Sequence, residues 1–182
     1  MLKKAIFLDR DGVINEVLIK EGQPHSPHSL NELRLMPRVA KNIEAFKQCG
    51  FLCIVVTNQP DVRRGLLTPG ALTTMHEHIK SVLNLDDILV CTHDDRDNCL
   101  CRKPRPGMLL EAAQRWGIDL ASSYMVGDQE RDMQAAQSAG CRGILCRASY
   151  NKQVQADFTV DSLDEVVSLL RLRMSHGKNS SA

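Results

Sequence analysis

Short apolar runs recur along this chain, each ending in a polar cluster and each separated from the next by a stretch with helical spacing. The runs are Ala5-Ile6-Phe7-Leu8, Phe51 to Val56, Ile88-Leu89-Val90, Tyr124-Met125-Val126 and Gly143-Ile144-Leu145, with Phe158-Thr159-Val160 as a shorter sixth. Continuous apolar runs of this length read as strands buried on both faces. Between them, Val39, Ile43 and Phe46 keep helical spacing until Gly50 stops the helix. Thr68-Pro69 supplies an N-cap and a first-turn proline for a helix that runs to about Leu83. Further helices are predicted from Pro106-Gly107 through Trp116, from Asp132 to Ala139, and from Leu163 to Leu172. Strands alternating with helices predict an α/β fold of the doubly wound, Rossmann-like kind, with a mostly parallel sheet covered on both faces. Such sheets bind ligands at the carboxyl ends of their strands, so the residues just after each run matter most.

A chain of 182 residues fits a single domain, assigned here to residues 1–174, followed by a polar tail over 175–182 that is expected to be disordered. The net charge is +1 and aromatics are 4%, which argues against a nucleic-acid-binding surface. No run approaches the ~20 apolar residues of a membrane span. The N-terminal run meets Asp9, Arg10 and Asp11 at once, unlike a signal peptide. A cytoplasmic monomer is therefore expected, and the seven cysteines are read as thiols or metal ligands, not disulfides. Residues 21–37, with Pro24, Pro27 and Pro37, read as a long loop.

The strand ends carry the chemistry. Asp9-Arg10-Asp11 follows the first run, Thr57-Asn58-Gln59 the second, and Gly127-Asp128 the fourth. Neighbouring carboxylates repel unless a cation or a shared proton sits between them, and hard oxygen ligands suit Mg²⁺. Asp128 offers a further carboxylate, and Asp132, one helical turn on, can support the same ion. The Thr57 hydroxyl can hold phosphate oxygens, and Lys103 can neutralise developing negative charge. Each feature alone is commonplace: an Asp-x-Asp is more often a solvated turn. Their order, at the mouths of successive strands, points to phosphoryl transfer.

Cys91-x-His93 and Cys99-x-Cys101 lie within eleven residues, in a polar loop with no core of its own. Three thiolates and an imidazole complete a tetrahedral Zn²⁺ shell, which leaves no open position and makes the site structural. The loop leads directly into Arg102-Lys103, so its expected task is to position Lys103.

The series Asp9-Arg10-Asp11-Gly12, Thr57-Asn58-Gln59, Arg102-Lys103-Pro104 and Gly127-Asp128-x-x-x-Asp132 resembles the four motifs of the haloacid dehalogenase (HAD) phosphatase superfamily. With the zinc loop and Cys101-Arg102-Lys103-Pro104-x-Pro106-Gly107-Met108-Leu109, it is similar to the D,D-heptose 1,7-bisphosphate and histidinol-phosphate phosphatase family. The resemblance implies an Mg²⁺-dependent phosphomonoesterase without a large cap domain. It implies that Asp9 is the nucleophile, that Asp11 is the general acid and base, and that Mg²⁺ is held by Asp9, the Asp11 carbonyl and Asp128 with support from Asp132. Thr57 and Lys103 would hold the phosphoryl group. Asn58, Gln59, Arg64 and Arg102 are expected to contact a small phosphorylated metabolite, first of all a heptose 1,7-bisphosphate on the way to lipopolysaccharide. Histidinol phosphate is the second choice. A polynucleotide 3′-phosphatase and a non-catalytic phosphosugar-binding module are weaker alternatives; the module should have lost Asp9, Asp11, Lys103 or Asp128, and all four are present. Pro60-Asp61 departs from the Ser-Gly of the heptose enzymes at this point.

Overall fold

The structure, a computed structural model, describes residues 2–178. Eight strands, β1 (Lys4–Leu8), β2 (Leu18–Lys20), β3 (Gln23–His25), β4 (Phe51–Asn58), β5 (Asp87–Cys91), β6 (Tyr124–Gly127), β7 (Arg142–Cys146) and β8 (Phe158–Val160), alternate with five helices. The helices are α1 (Val39–Gln48), α2 (Pro69–Val82), α3 (Gly107–Trp116), α4 (Glu130–Ala139) and α5 (Leu163–Lys178). Six strands form one sheet in the order β5-β4-β1-β6-β7-β8, and every neighbouring pair is parallel.

Side chains alternate along the strands, and this alternation divides the core in two. Ile6 and Leu8 of β1 join Cys53 and Val55 of β4 on the face covered by α1, α2 and α5, through Ile43, Phe46, Met75, Ile79, Val166 and Leu170. Ala5 and Phe7, with Ile54 and Val56, face α3 and α4 through Met108, Leu109, Ala112, Ala135 and Ala136. Both faces of β1 are out of water, which is why its sequence is continuously apolar. Burial of each large apolar side chain here contributes roughly 1.5–3 kcal/mol. The helix signals behave as their chemistry dictates: Thr68 accepts from the Ala71 N–H at 3.1 Å, and α4 ends at Gly140 in the left-handed conformation.

Two expectations change. The stretch read as a long loop begins with a hairpin: β2 and β3 pair antiparallel, with Leu18 opposite His25. Its turn holds Glu21 at φ 51° and Gly22 at φ 76°, both positive as a tight two-residue hairpin requires. Glutamate is not a residue that signals such a turn, and Pro24 argued against a strand; in a two-stranded ribbon its missing N–H costs no ladder bond on the open edge. Helix α5 also runs past Leu172 to Lys178, with Met174 still against the core, so the first residues of the expected tail are helical. Residues 179–182 of that tail lie outside the described residues. Among the described residues no helix is long and apolar enough to cross a membrane.

Candidate active site and metal centres

The chain leaves β1 for β4 and β5 on one side, then returns to β6, β7 and β8 on the other. The end of β1 is thus the switch point of the sheet, where a crevice opens. Asp9 stands there, its N–H donating to the Val126 carbonyl at 2.9 Å, so the ladder itself fixes the residue. Asp128 stands just beyond β6, and Gly12 lies against it with φ +83°. A Cβ at Gly12 would sit 2.3 Å from Asp128 Oδ2, so only glycine allows this loop to close over the carboxylate.

Lys103 is the counterweight. Its Nζ lies 3.0 Å from Asp9 Oδ1 and 2.6 Å from Asp132 Oδ1, and donates to the Val56 carbonyl at 2.9 Å. Two carboxylates in ion-pair contact and one carbonyl acceptor make burial of an ammonium tolerable at 1% side-chain exposure. Burial pushes the Lys103 pKa down, but Asp132 and Asp9 outweigh it and hold the group above its ordinary value. Burial pushes Asp9 up to about 6, opposed by Lys103 and reinforced by the Asp132 and Asp11 charges. Asp128 is pushed well above the usual carboxylate range by burial and by Asp9 and Asp132.

Asp9, Asp128 and Asp132 each bring a carboxylate oxygen within 4.8 Å of the others. Asp128 Oδ1 is buried and meets no hydrogen-bond partner among the described residues. A buried, unpartnered carboxyl oxygen whose ionisation its neighbours oppose is what a hard divalent cation relieves, and the donor set fits Mg²⁺. The other Asp128 oxygen accepts from the Tyr150 hydroxyl, and the Asp128 carbonyl accepts from Asn151 Nδ2 at 2.7 Å. Tyr150 and Asn151 come from the loop after β7. They were missed in the sequence because nothing in that loop has a motif's spacing.

Asp11 turns its carboxylate away from this cluster. Arg10 Nη2 donates to its two oxygens at 2.9 and 3.0 Å, Asn15 Nδ2 at 2.9 Å, Ser26 Oγ at 2.7 Å and Gln59 Nε2 at 2.8 Å. Burial pushes the Asp11 carboxyl up, but the Arg10 charge and these hydrogen bonds outweigh it and hold it below the ordinary value. Arg10 is fully buried and also meets Gln59 Oε1 at 3.0 Å and His76 Nε2 at 3.3 Å. Gln59 is therefore packed behind Asp11, donating also to Thr57 Oγ1 at 2.9 Å, and does not line the open cavity. Asn58 brackets Lys103: its amide donates to the Lys103 carbonyl at 2.9 Å and accepts from the Lys103 N–H at 3.1 Å.

Above Asp9, Asp11 and Lys103 opens a cavity of about 330 Å³, walled also by Asn58, Arg64 and Arg102. The β2–β3 hairpin forms one side of it through Pro24 and His25. The segment that follows is fastened by Ser26 to Asp11 and by His28 Nε2, 2.8 Å from Asp61 Oδ2. Both expected arginines reach the cavity, and both are already paired. Arg102 Nε donates to Asp95 Oδ1 at 2.8 Å, and Arg64 Nη1 lies 3.2 Å from Asp61 Oδ1.

Cys91, His93, Cys99 and Cys101 converge as the spacing predicts. Cys99 Sγ is 3.6 Å from Cys91 Sγ and 3.4 Å from Cys101 Sγ, and His93 Nδ1 is 3.6 and 3.4 Å from Cys91 and Cys101. Tetrahedral Zn–S bonds of about 2.3 Å give sulfur–sulfur edges of roughly 3.8 Å, so the four atoms fit Zn²⁺. Arg105 Nη1 ties the loop from outside through the Asn98 and Cys99 carbonyls, each at 2.6 Å. The other four cysteines, Cys49, Cys53, Cys141 and Cys146, are buried free thiols.

A switch-point carboxylate paired with a buried lysine, beside an acidic cation cluster, defines a phosphatase of the haloacid dehalogenase type. Residues 100–170 match the HAD-hydrolase-like family model. The D-glycero-beta-D-manno-heptose-1,7-bisphosphate 7-phosphatase of Yersinia pestis is 33% identical over 186 residues, covering 93% of this chain and 96% of that protein. Its counterpart in Escherichia coli K12 is 40% identical over 147 residues, 74% of each chain. The crystal structure of D,D-heptose 1,7-bisphosphate phosphatase from B. bronchiseptica, complexed with magnesium and phosphate, superposes with a TM-score of 0.81 at 30% identity, over 93% of this chain and 99% of that one. The chain belongs to this heptose bisphosphate phosphatase family of HAD-like hydrolases.

Proposed function

We propose that this phosphatase removes the 7-phosphate of D-glycero-beta-D-manno-heptose 1,7-bisphosphate through an aspartyl-phosphate on Asp9. The observation that carries the mechanism is the Asp9–Lys103 contact at 3.0 Å, between two nearly buried side chains at the floor of the cavity. Asp9 attacks phosphorus, the bond from phosphorus to the sugar oxygen breaks, and Asp11 delivers a proton to that oxygen. Water then attacks the same phosphorus, Asp11 takes its proton, and the Asp9 carboxylate is regenerated as phosphate leaves. Lys103 and the Thr57 hydroxyl offset charge on the phosphoryl oxygens. Asp9, the Asp11 carbonyl and Asp128 would hold Mg²⁺, supported by Asp132; when bound, the ion screens the carboxylates from the incoming phosphate.

Asp9 has both of its close contacts on Oδ1, from Lys103 and from the Arg10 N–H at 2.7 Å. Oδ2 is thus the oxygen free to attack. The donors around Asp11 favour the anion, which suits its role as base. To act as acid it must first take up a proton from solvent against Arg10, Asn15, Ser26 and Gln59, and thereafter it keeps the proton taken from the hydrolytic water for the next turnover.

The heptose substrate rests on the relatives and on the arginine-walled cavity. Histidinol phosphate is the second choice: Asp95 of the acidic loop does reach the cavity wall, but the carboxylates of that loop are already paired. Asp94 accepts from the Arg96 N–H, Asp95 from Arg102, and Asp97 from Arg63. The test is phosphate release from both anomers of heptose 1,7-bisphosphate, fructose 1,6-bisphosphate and histidinol phosphate. A kcat/KM about 100-fold higher for the β-heptose anomer, ~2.7 kcal/mol of differential transition-state binding, is expected; a flat profile would remove the heptose assignment.

A further inference from the structure

Three arginines wall the cavity above Asp9, and they are not equivalent. Arg102 is 9% exposed and committed, its Nε to Asp95 and its Nη1 to the His93 carbonyl at 3.3 Å. Arg64 lies between Asp61 at 3.2 Å and Asp95 at 4.0 Å. Arg131 has no ion pair with any carboxylate among the described residues; its one direct partner is Gln129, whose Oε1 accepts from Nη2 at 2.7 Å. A neutral amide orients a guanidinium without cancelling its charge. The rest of the fork stays available to a bidentate acceptor.

The backbone makes this placement rigid. Arg131 sits in the first turn of α4, between Asp128 of the cation cluster and Asp132, the partner of Lys103. Asp132 Oδ2 accepts the Gln129 N–H at 3.0 Å, which ties the start of the helix to the same turn. The reacting centre and this guanidinium, which makes no direct ion pair and acts on Asp95 only across the cavity, are thus fixed on one turn, and both face one cavity. We propose that Arg131, oriented by Gln129, is the residue that reads the second, non-reacting anionic group of the substrate, and so makes the enzyme select a bisphosphate over a monophosphate. The proposal rests on the bisphosphate assignment above.

The test compares heptose 1,7-bisphosphate with heptose 7-phosphate, which share the reacting phosphate and differ only in the distal one. The wild type is expected to prefer the bisphosphate. In Arg131→Gln the ratio of the two kcat/KM values should fall by about 10- to 100-fold, the loss of one charge-assisted fork. Arg131→Lys should keep part of the ratio, since it retains the charge without the fork. Because the ratio is taken within one preparation, any unfolded fraction cancels. A wild-type preference that survives intact in Arg131→Gln overturns the role of Arg131 and leaves the substrate assignment standing. A wild type that turns over both compounds equally removes the bisphosphate assignment and this inference with it.

Discussion

Lys103 Nζ lies 3.0 Å from Asp9 Oδ1, and the two side chains are 1% and 12% exposed. A charge pair this dry cannot be broken without consequence, because the survivor is left uncompensated. Lys103→Met keeps the length and removes the charge. Turnover is expected to fall at least ~100-fold, in line with losing one preorganised electrostatic contact. Unfolding in denaturant should show a loss of about 3–5 kcal/mol in metal-free buffer. Added Mg²⁺ should recover part of it, since an ion among Asp9, Asp128 and Asp132 takes over the role of the ammonium. Near-normal turnover in the variant would exclude Lys103 from the chemistry.

Asp9→Asn should abolish turnover while leaving the fold intact. The amide preserves shape, and it removes one negative charge from a cluster whose burial already disfavours ionisation. Rapid quenching with substrate labelled at the reacting phosphate should trap label on the wild-type chain and none on the variant. Normal turnover by Asp9→Asn would sink the covalent mechanism.

Tyr150 donates its hydroxyl to Asp128 Oδ2, which leaves the buried Oδ1 unpartnered and available to a cation. Orienting partners of this kind typically tune metal affinity by 10- to 100-fold. Tyr150→Phe is expected to weaken Mg²⁺ binding about tenfold, read as a shift in the Mg²⁺ concentration that half-saturates the rise in Tm. An unshifted titration would mean that Asp128 is held well enough by Gly12 and Asn151 alone.

The parts of this fold that a sequence shows best are those with one dominant cause. Buried strands such as β1 need apolar residues on both faces, and α2 carries its own start signal in Thr68-Pro69. The candidate metal-binding clusters are equally legible, because motif spacing and strand ends bring Asp9 and Asp128 together and gather the Cys/His set. Residues whose role comes only from tertiary placement left no such trace. Tyr150 and Asn151 meet Asp128 from a loop twenty-two and twenty-three residues on. Arg10 carries no role in the motif beyond its place between two aspartates, yet it is fully buried because Asp11, Gln59 and His76 receive it. The hairpin of β2 and β3 was hidden by Glu21 at a left-handed position and by Pro24 within a strand.

The Cys/His loop makes a prediction about metal content. Purified protein should carry one Zn²⁺ per chain by atomic absorption, and Cys101→Ser should lower that content. Loss of zinc frees the loop that delivers Arg102 and Lys103, so thermal stability and turnover should fall together. If the metal-free protein kept its Tm and its rate, the four side chains would be no more than neighbours.

His76 lies in α2 with Nε2 3.3 Å from Arg10 Nη1, and burial together with the Arg10 charge pushes its pKa down to about 4, against a smaller opposing effect of Asp11. In the unfolded chain an ordinary imidazole takes up its proton near pH 6.5. Between those values only the unfolded chain is protonated, so the His76 contribution is complete above about pH 6.5 and is lost as pH falls toward 4. With a discount for partial exposure, the loss should reach on the order of 1–2 kcal/mol. Gln at this position keeps an acceptor for Arg10 and does not titrate. His76→Gln should therefore flatten the decline in denaturant stability over that window, measured as the difference from wild type so that other titrating carboxylates cancel. A decline of unchanged depth would show that a protonated His76 is accommodated, and that Arg10 does not depend on a neutral imidazole beside it.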